Sequence, residues 1–163
     1  MLFRSLLVAG AKAGLERDVL LREAPEVREL AFDPDTKRMA TLHGRGDALF
    51  AAVKGAPEAI LERCASMRTP EGSEPLGDDE RTSWLKLASE MAAGGERVLA
   101  LASVPVESPE AFDFEGLSLL GLVGFFDPPR ERVRVAIEAC QAAGIRVVMV
   151  TGDHGATAWN VAA

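Results

Sequence analysis

A lysine at the end of a buried strand is the first residue with clear chemical potential. In "ALFAAVKGAPEAIL", residues 48–61, an almost wholly apolar run ends in Lys54, and Gly55 and Ala56 follow at once. The amine of such a lysine is desolvated on one side and needs an anion or polar partners, while the glycine permits close backbone approach. The segment predicts either one wall of an anion-binding pocket or a lysine that extends along the sheet to water.

Two other side chains could complete such a pocket. Phe32, on a neighbouring predicted strand, could present a ring face on which a purine stacks. Arg97, just after a glycine pair, could add a second cation for phosphates. For Phe32 the alternative interpretation is an ordinary core residue.

A second candidate site follows the apolar run of "VVMVTGD". In open α/β sheets ligands bind at the carboxyl ends of the strands, where this sequence places Thr151, Gly152 and Asp153. Gly152 would let a phosphate oxygen approach the backbone, and the start of the next helix adds its dipole. The alternative is an ordinary strand-to-helix turn that Asp153 caps.

The prolines of "FFDPPR" predict a stiff hinge. Consecutive prolines fix the backbone and forbid ladder pairing, and here they separate a strand from a helix. Asp127 and Arg130 flank them, close enough to pair or to reach a ligand in a cleft between two parts of the chain. A capped helix start with proline in its first turn is the common alternative.

Composition restricts the class of protein. The chain has 163 residues, of which 48% are hydrophobic and 26% charged, with a net charge of −7 and no tyrosine. These values are typical of a globular protein and argue against a nucleic-acid surface, which needs a basic stripe with aromatic rings. Cys64 and Cys140 have no metal-ligand spacing and are expected to be reduced thiols in helices. No apolar run approaches the length of a membrane helix, so we expect a soluble chain. From its charge and its cysteine spacing, we expect the chain to bind neither nucleic acid nor a metal.

Apolar periodicity and turn residues predict the elements that position these residues. Residues 1–124 read as α+β, an antiparallel sheet with flanking helices, and "GRGD" reads as a hairpin turn rather than an adhesion motif. Residues 125–163 read as the hinge and the opening of an α/β unit, with a helix that ends at Gly144 and a strand over 145–150. The predicted helices are 4–13, 15–23, 56–67 and 80–93. The predicted strands lie around Leu30 and Phe32 and over 38–43, 48–53, 97–106 and 117–126, with a long loop over 68–79. The first three are predicted to form an antiparallel meander, with "DPDT" as the turn between the first two.

Several of these segments together resemble the cytoplasmic part of P-type cation-transporting ATPases, and the likeness covers almost the whole chain. "FDPDTKRM", "VKGAPEAILERC", "ERVLALAS" and "GFFDPPRERVRVAIEACQAAGIRVVMVTGDH" occur in the order and approximate spacing of that family, most similar to its calcium-pump-like branch. The resemblance implies a truncated nucleotide-binding domain over 1–124. It implies a hinge and a partial, haloacid-dehalogenase-like phosphorylation domain over 125–163.

The resemblance also implies nucleotide-binding roles. By it, Phe32 stacks on adenine, Arg97 contacts the phosphates, and the other matching residues line the pocket, the hinge or the phosphate-side loop. These other residues are Lys37, Met39, Lys54, Gly55, Ala56, Asp127, Arg130, Thr151, Gly152 and Asp153. The parent enzyme would use ATP and Mg²⁺ at the cytoplasmic face of a membrane. Its other parts, the membrane and phosphorylation domains, would be partners of this chain.

The departures from the family pattern shape what we expect of this chain alone. The phosphorylated aspartate of the DKTGT segment and the magnesium-binding GDGxND segment are not in it, and "MLFRS" stands in place of an acidic adenine-pocket motif. We therefore expect a fragment that binds ATP or ADP weakly, has no catalytic residue of its own and forms no phosphoenzyme.

Two alternatives come from other classes. A haloacid-dehalogenase-type phosphatase would use "VTGD" but requires an Asp-x-Asp nucleophile on a preceding strand. The Asp33/Asp35 pair lies in a predicted turn instead. A non-catalytic interaction module would use an open sheet edge, through which we also expect some self-association.

Overall fold

The structure, a computed structural model, describes residues 2–126, 131–148 and 150. Within them, helices separate three groups of consecutive strands along the chain. The helices are α1 (Leu2–Lys12), α2 (Arg17–Glu23), α3 (Pro57–Leu61), α4 (Asp78–Ala93) and α5 (Glu131–Ala142). The strands are β1 (Glu26–Asp33), β2 (Arg38–Arg45), β3 (Ala48–Gly55), β4 (Cys64–Thr69), β5 (Gly72–Pro75), β6 (Arg97–Val106) and β7 (Leu117–Phe125).

The seven strands form one sheet in the order β1-β2-β3-β6-β7-β4-β5. The first three make the predicted antiparallel meander, and β6 returns beside β3 after the intervening helices. All neighbours are antiparallel except β4 and β7, which run parallel. The prediction of an α+β fold with flanking helices is confirmed.

The core lies on one face of the sheet, as the alternation of β3 shows. Ala51 and Val53 are buried, whereas the intervening Ala52 is exposed and Lys54 half-buried. Successive side chains of a strand point to opposite faces, so the buried set from neighbouring strands gathers on the same side. Ile60 and Leu61 of α3 complete this cluster with no exposed surface.

The loop over 107–116 also packs against this core. Phe112 and Phe114 contact each other with ring centroids 4.7 Å apart, and both pack on the buried cluster. The guanidinium of Arg38 lies 4.6 Å from the centre of the Phe114 ring. This cation–π contact ties the loop to the start of β2.

The predicted helix over 56–67 is wrong in its second half. Helix α3 ends at Leu61, and Cys64 begins β4 instead of lying in a helix. The amide of Leu117 donates to the carbonyl of Arg63 at 3.0 Å, and Cys64 then pairs with Leu117 in the parallel ladder. Tertiary pairing with β7 thus overrides the helical periodicity.

The predicted loop over 68–79 is also wrong. Strands β4 and β5 form a hairpin in which Thr69 lies opposite Gly72, joined by a two-residue turn. The amide of Leu76 then donates to the carbonyl of Ala65 at 3.0 Å, and Leu76 is buried. Polar and turn-forming residues on an edge hairpin read as a loop because little of their surface is apolar.

The predicted α/β unit is shown only in part. Helix α5 forms, and Gly144 adopts the left-handed conformation with φ 76°, as expected of a helix stop. Residues 145–148 and 150 are not in a strand, however, and Val148 and Val150 are 67% and 92% exposed. A β-branched run needs a neighbouring strand, and the described ranges provide none beside it.

Because the core lies on one face of the sheet, substitutions of two adjacent leucines of β7 should lower stability by very different amounts. Leu119 is 1% exposed and Leu120 is 51% exposed. We expect Leu119→Ala to lower the free energy of unfolding by about 2–5 kcal/mol because it leaves a cavity. Leu120→Ala should lower it by about 0.5 kcal/mol or less. Urea unfolding followed by circular dichroism measures both, and equal losses would contradict the assignment of the core face.

Candidate functional site

A cleft of about 570 Å³ lies on the sheet face opposite the core. The middle strands provide its floor, and apolar side chains of α1 and α2 line its other side. The floor includes Met39, Thr41 and His43 of β2, Ala52 and Lys54 of β3, and Leu101 of β6. The facing helices contribute Leu7, Leu20 and Leu21, and Leu15 lies between the two helices.

Cross-strand pairing determines which floor residues meet. Lys54 lies directly between Met39 on β2 and Leu101 on β6, and Ala52 lies opposite Thr41. Directly opposed side chains on one face are neighbours. Of the residues predicted from the sequence, Met39 and Lys54 therefore come together within the cleft.

The amine of Lys54 is in a partly apolar environment. Burial lowers the pKa of Lys54 below that of an ordinary lysine, and the carboxylate of Glu29 acts in the opposite direction. Glu29 also lines the cleft. A cation that is costly to desolvate favours an anion or another electron-rich group as its neighbour.

Gly55 is required by the backbone beside it. A Cβ at this position would lie 2.5 Å from the carbonyl oxygen of Lys37, and the amide of Ala56 donates to that same oxygen at 3.0 Å. Lys37 has φ 53° and ends the turn after β1. The glycine therefore allows this turn to pack against the end of β3.

The turn itself is held by Asp33. Its carboxylate accepts from the amide of Asp35 at 2.9 Å and from the hydroxyl of Thr36 at 3.0 Å. These hydrogen bonds, that from the Asp35 amide first, lower the pKa of Asp33. The "DPDT" turn predicted from the sequence thus has a defined internal structure that positions Lys37 and Met39.

The side chain of Lys37 lies outside the cleft lining. Its Nζ is 3.1 Å from Oε1 of Glu58 in α3, and both side chains are mostly exposed. The structure thus places Lys37, Gly55 and Ala56 next to one another at the end of β3, where Met39 and Lys54 also lie.

Phe32 lies at the edge of the sheet and is 55% exposed, so it is not a core residue. The register of β1 shifts between Leu30 and Asp33, so that Asp33 rather than Phe32 is opposite Arg38. Because neighbours along a strand alternate between faces, this shift favours the Met39 and Lys54 face for Phe32.

Arg97 lies on the same face as Lys54 but farther along the sheet. Leu101 is the cross-strand partner of Lys54, and Arg97 begins the same strand four residues earlier. At the usual rise per residue this separates the two positions by about 13 Å along β6. Arg97 is exposed.

The remaining predicted site residues lie outside the described residues. These are Asp127, Arg130, Thr151, Gly152 and Asp153. Their predicted roles in the hinge and the phosphate-side loop stay predictions.

Sequence reasoning missed Glu29, Thr41 and His43, which line the cleft beside Lys54. Thr41 and His43 could have been predicted from the sequence of β2, because they follow Met39 at intervals of two residues and therefore share its face. Nδ1 of His43 lies 3.1 Å from the carbonyl oxygen of Ala24, and Nε2 lies 2.9 Å from the hydroxyl of Thr41. Glu29 could be found only from the pairing of β1 with β2, which sets it opposite Thr41.

Comparison with known proteins identifies the family. Residues 4–132 match the family model described as "P-type ATPase, cytoplasmic domain N". The chain belongs to the P-type ATPases. The family resemblance found in the sequence is thereby confirmed.

Curated relatives agree with this assignment. This P-type ATPase chain is 36% identical over 165 residues to Calcium-transporting ATPase 1 of Bacillus cereus and 40% identical over 163 residues to Cation-transporting ATPase pma1 of Synechocystis. Each alignment covers 97% of the chain and 18% of the relative. The sodium/potassium-transporting ATPase subunit alpha of Hydra vulgaris is 36% identical over 152 residues, 84% of the chain and 15% of the relative. The chain therefore spans less than a fifth of the length of these relatives.

Two features are absent from the described residues of this P-type ATPase chain. Among them, no helix has the length and apolar character needed to cross a membrane. The same ranges contain no group of three or more His, Cys, Asp or Glu residues that could hold a metal ion.

The close contact at Gly55 predicts that one added methyl group lowers the stability of the fold. In Gly55→Ala the added Cβ would meet the Lys37 carbonyl oxygen at 2.5 Å, so the turn must move. We expect a loss of about 2 kcal/mol or more in the free energy of unfolding. Gly44→Ala is the matched control on β2, because its Cβ would have ordinary contacts of 3.7 Å and beyond. Thermal unfolding checks both variants, and a Gly55→Ala protein as stable as Gly44→Ala would refute this account of Gly55.

Proposed function

We propose that this chain is the nucleotide-binding portion of an ATP-driven cation pump and that the cleft over β2 and β3 holds the adenine of ATP. Membership of the P-type ATPases supports the class of activity. The observation that carries the proposal is Lys54, which lies beside Met39 in the floor of a cleft whose volume is that of a small-molecule site.

The chemistry of the cleft suits a purine better than a bare anion. Most of its lining is apolar, including Met39 and the leucines of the facing helices. A planar base gains from burial against such surfaces. The partly desolvated amine of Lys54 supplies a cation against the electron-rich ring.

The phosphates would extend from this cleft toward Arg97. Arg97 shares the face of Lys54, about 13 Å away along β6, a span comparable to an extended nucleoside triphosphate. A guanidinium can bind phosphate oxygens through two parallel hydrogen bonds. Base and triphosphate would thus lie at separate ends of one sheet face, with Phe32 stacked on the base at the edge.

In this proposal Mg²⁺ enters the site bound to the phosphates of ATP. The described residues contain no cluster that could hold a metal ion. Mg²⁺ commonly binds through substrate phosphates and a few carboxylates. The carboxylates that complete its coordination in the parent enzyme would belong to other parts of the pump.

The proposed role in the parent enzyme is positioning. The chain would hold ATP by its adenine at the cytoplasmic face of the membrane and present the terminal phosphate to an aspartate elsewhere in the pump. Phosphoryl transfer depends mainly on such positioning and on charge stabilisation. Within this proposal, residues 1–124 form the nucleotide-binding domain, and the residues from 125 onward connect to the phosphorylation domain.

The first test concerns Lys54. We expect Lys54→Met, which keeps the apolar stem but removes the charge, to weaken ATP binding about tenfold in isothermal titration calorimetry. Lys86→Met is the matched control, because Lys86 is an exposed lysine of α4 whose amine lies near Glu90. Equal affinities of the two variants would refute a role for the Lys54 charge.

A pH titration of the same binding follows from the direction of the Lys54 pKa. Because burial lowers this pKa, the amine loses its charge at a lower pH than an ordinary lysine. ATP affinity should therefore fall on the alkaline side earlier than such a lysine would allow, and the decline should be absent from Lys54→Met. An identical pH profile for both proteins would show that Lys54 does not bind as a cation.

The second test concerns the stacking ring. Phe32→Ala should lower ATP and ADP affinity by a similar factor, roughly tenfold or more, because both share the base. Phe32→Tyr should retain most of the affinity because the ring face remains. Equal binding by Phe32→Ala and the unmodified chain would overturn the stacking assignment.

A further inference from the structure

The hydrogen bonds of His43 determine where its proton lies. A carbonyl oxygen can only accept, so Nδ1, 3.1 Å from the carbonyl of Ala24, must carry a hydrogen. In the neutral ring Nε2 is then an acceptor, and the hydroxyl of Thr41 at 2.9 Å donates to it. The hydroxyl hydrogen of Thr41 is thus held by the ring.

The histidine ring is held in this orientation by its surroundings. It stacks on Phe50 with centroids 5.5 Å apart and planes inclined by 23°. Ala24 is itself buried at the end of α2, and the amide of Gly44 donates to the carbonyl of Pro25 at 3.0 Å. These contacts join the start of β1 to β2 on both sides of His43, so the ring has little freedom to exchange partners.

At the position of Thr41, the floor of the cleft therefore offers hydrogen-bond acceptors but no donors. With its hydrogen engaged by His43, Thr41 presents only lone pairs. Its cross-strand neighbours are Glu29 and Ala52, a carboxylate that accepts and a methyl group that does neither. All three line the cleft. A ligand edge at this level therefore needs a hydrogen-bond donor.

Resting on the proposed function, we propose that Thr41 is a specificity-determining residue that selects a 6-amino purine over a 6-oxo purine, with His43 as its positioning residue. The exocyclic amine of adenine donates two hydrogen bonds. The oxygen of a 6-oxo purine would instead face the lone pairs of Thr41, and a polar site that is left unpaired discriminates strongly. Thr41 lies two residues from Met39 on the same strand face, within reach of a base placed over Met39 and Lys54.

The experiment compares ATP and inosine triphosphate by calorimetry on the full chain. The unmodified protein should prefer ATP by roughly tenfold. Thr41→Val keeps the shape but removes the acceptor, so this preference should fall toward one, mainly through weaker ATP binding. Thr41→Ser keeps the hydroxyl, so this variant should retain the preference for ATP.

His43→Phe supplies the readout that a merely structural role would not produce. The substituted ring can still stack on Phe50 but leaves the Thr41 hydroxyl free to rotate and donate. Inosine triphosphate should then bind more tightly than it does to the unmodified protein. If Thr41→Val and His43→Phe both keep the original ATP preference, the proposal is wrong. If the unmodified chain binds neither nucleotide, the proposed function itself fails, which is a different result.

Discussion

The antiparallel pairing of β2, β3 and β6 is the constraint on which the site depends. It sets Met39, Lys54 and Leu101 side by side and sends Ala51, Val53 and Ala100 to the opposite face. A slip of one residue in either pairing would reverse every side chain of a strand. The core would then receive a lysine, and the cleft would receive Val53. Core packing and site geometry are therefore consequences of one register, and neither can change without the other.

The floor of the cleft combines a small residue with polar and larger apolar ones. Ala52 of β3 is exposed and lies between Thr41 of β2 and Ser103 of β6. Thr41 opposite it and Lys54 beyond it add polar groups to a surface that α1 and α2 cover with leucines. Burial of the charged amine of Lys54 costs free energy, which the carboxylate of Glu29 offsets in part. A cation in the floor of a cleft with space above it supports the proposed ligand site.

Local patterns were enough to predict the meander, α4 and both long strands β6 and β7, because each has strong periodicity and clear turn residues at its ends. They failed where pairing partners are distant in sequence. Cys64 starts a strand because Leu117 lies beside it, and no property of the segment around Cys64 reveals that. The same limit applies to the site. Lys54 was visible as a cation at a strand end, whereas Glu29 joins it only through the register of β1 and β2.

In the proposed complex, the charge distribution within the cleft would set the direction in which a nucleotide lies. The chain carries a net charge of −7, so its overall field disfavours an approaching triphosphate. Glu26 and Glu29 line the same end of the cleft as Thr41 and His43, which makes that end unsuitable for phosphates but suitable for the amino edge of a base. Arg97 lies at the opposite end of the face, beyond Lys54. Binding energy would then come from burial of the base and from short-range contacts with Lys54 and Arg97, because the overall field of the chain does not attract the ligand. The acidic residues would orient the ligand by excluding its phosphates.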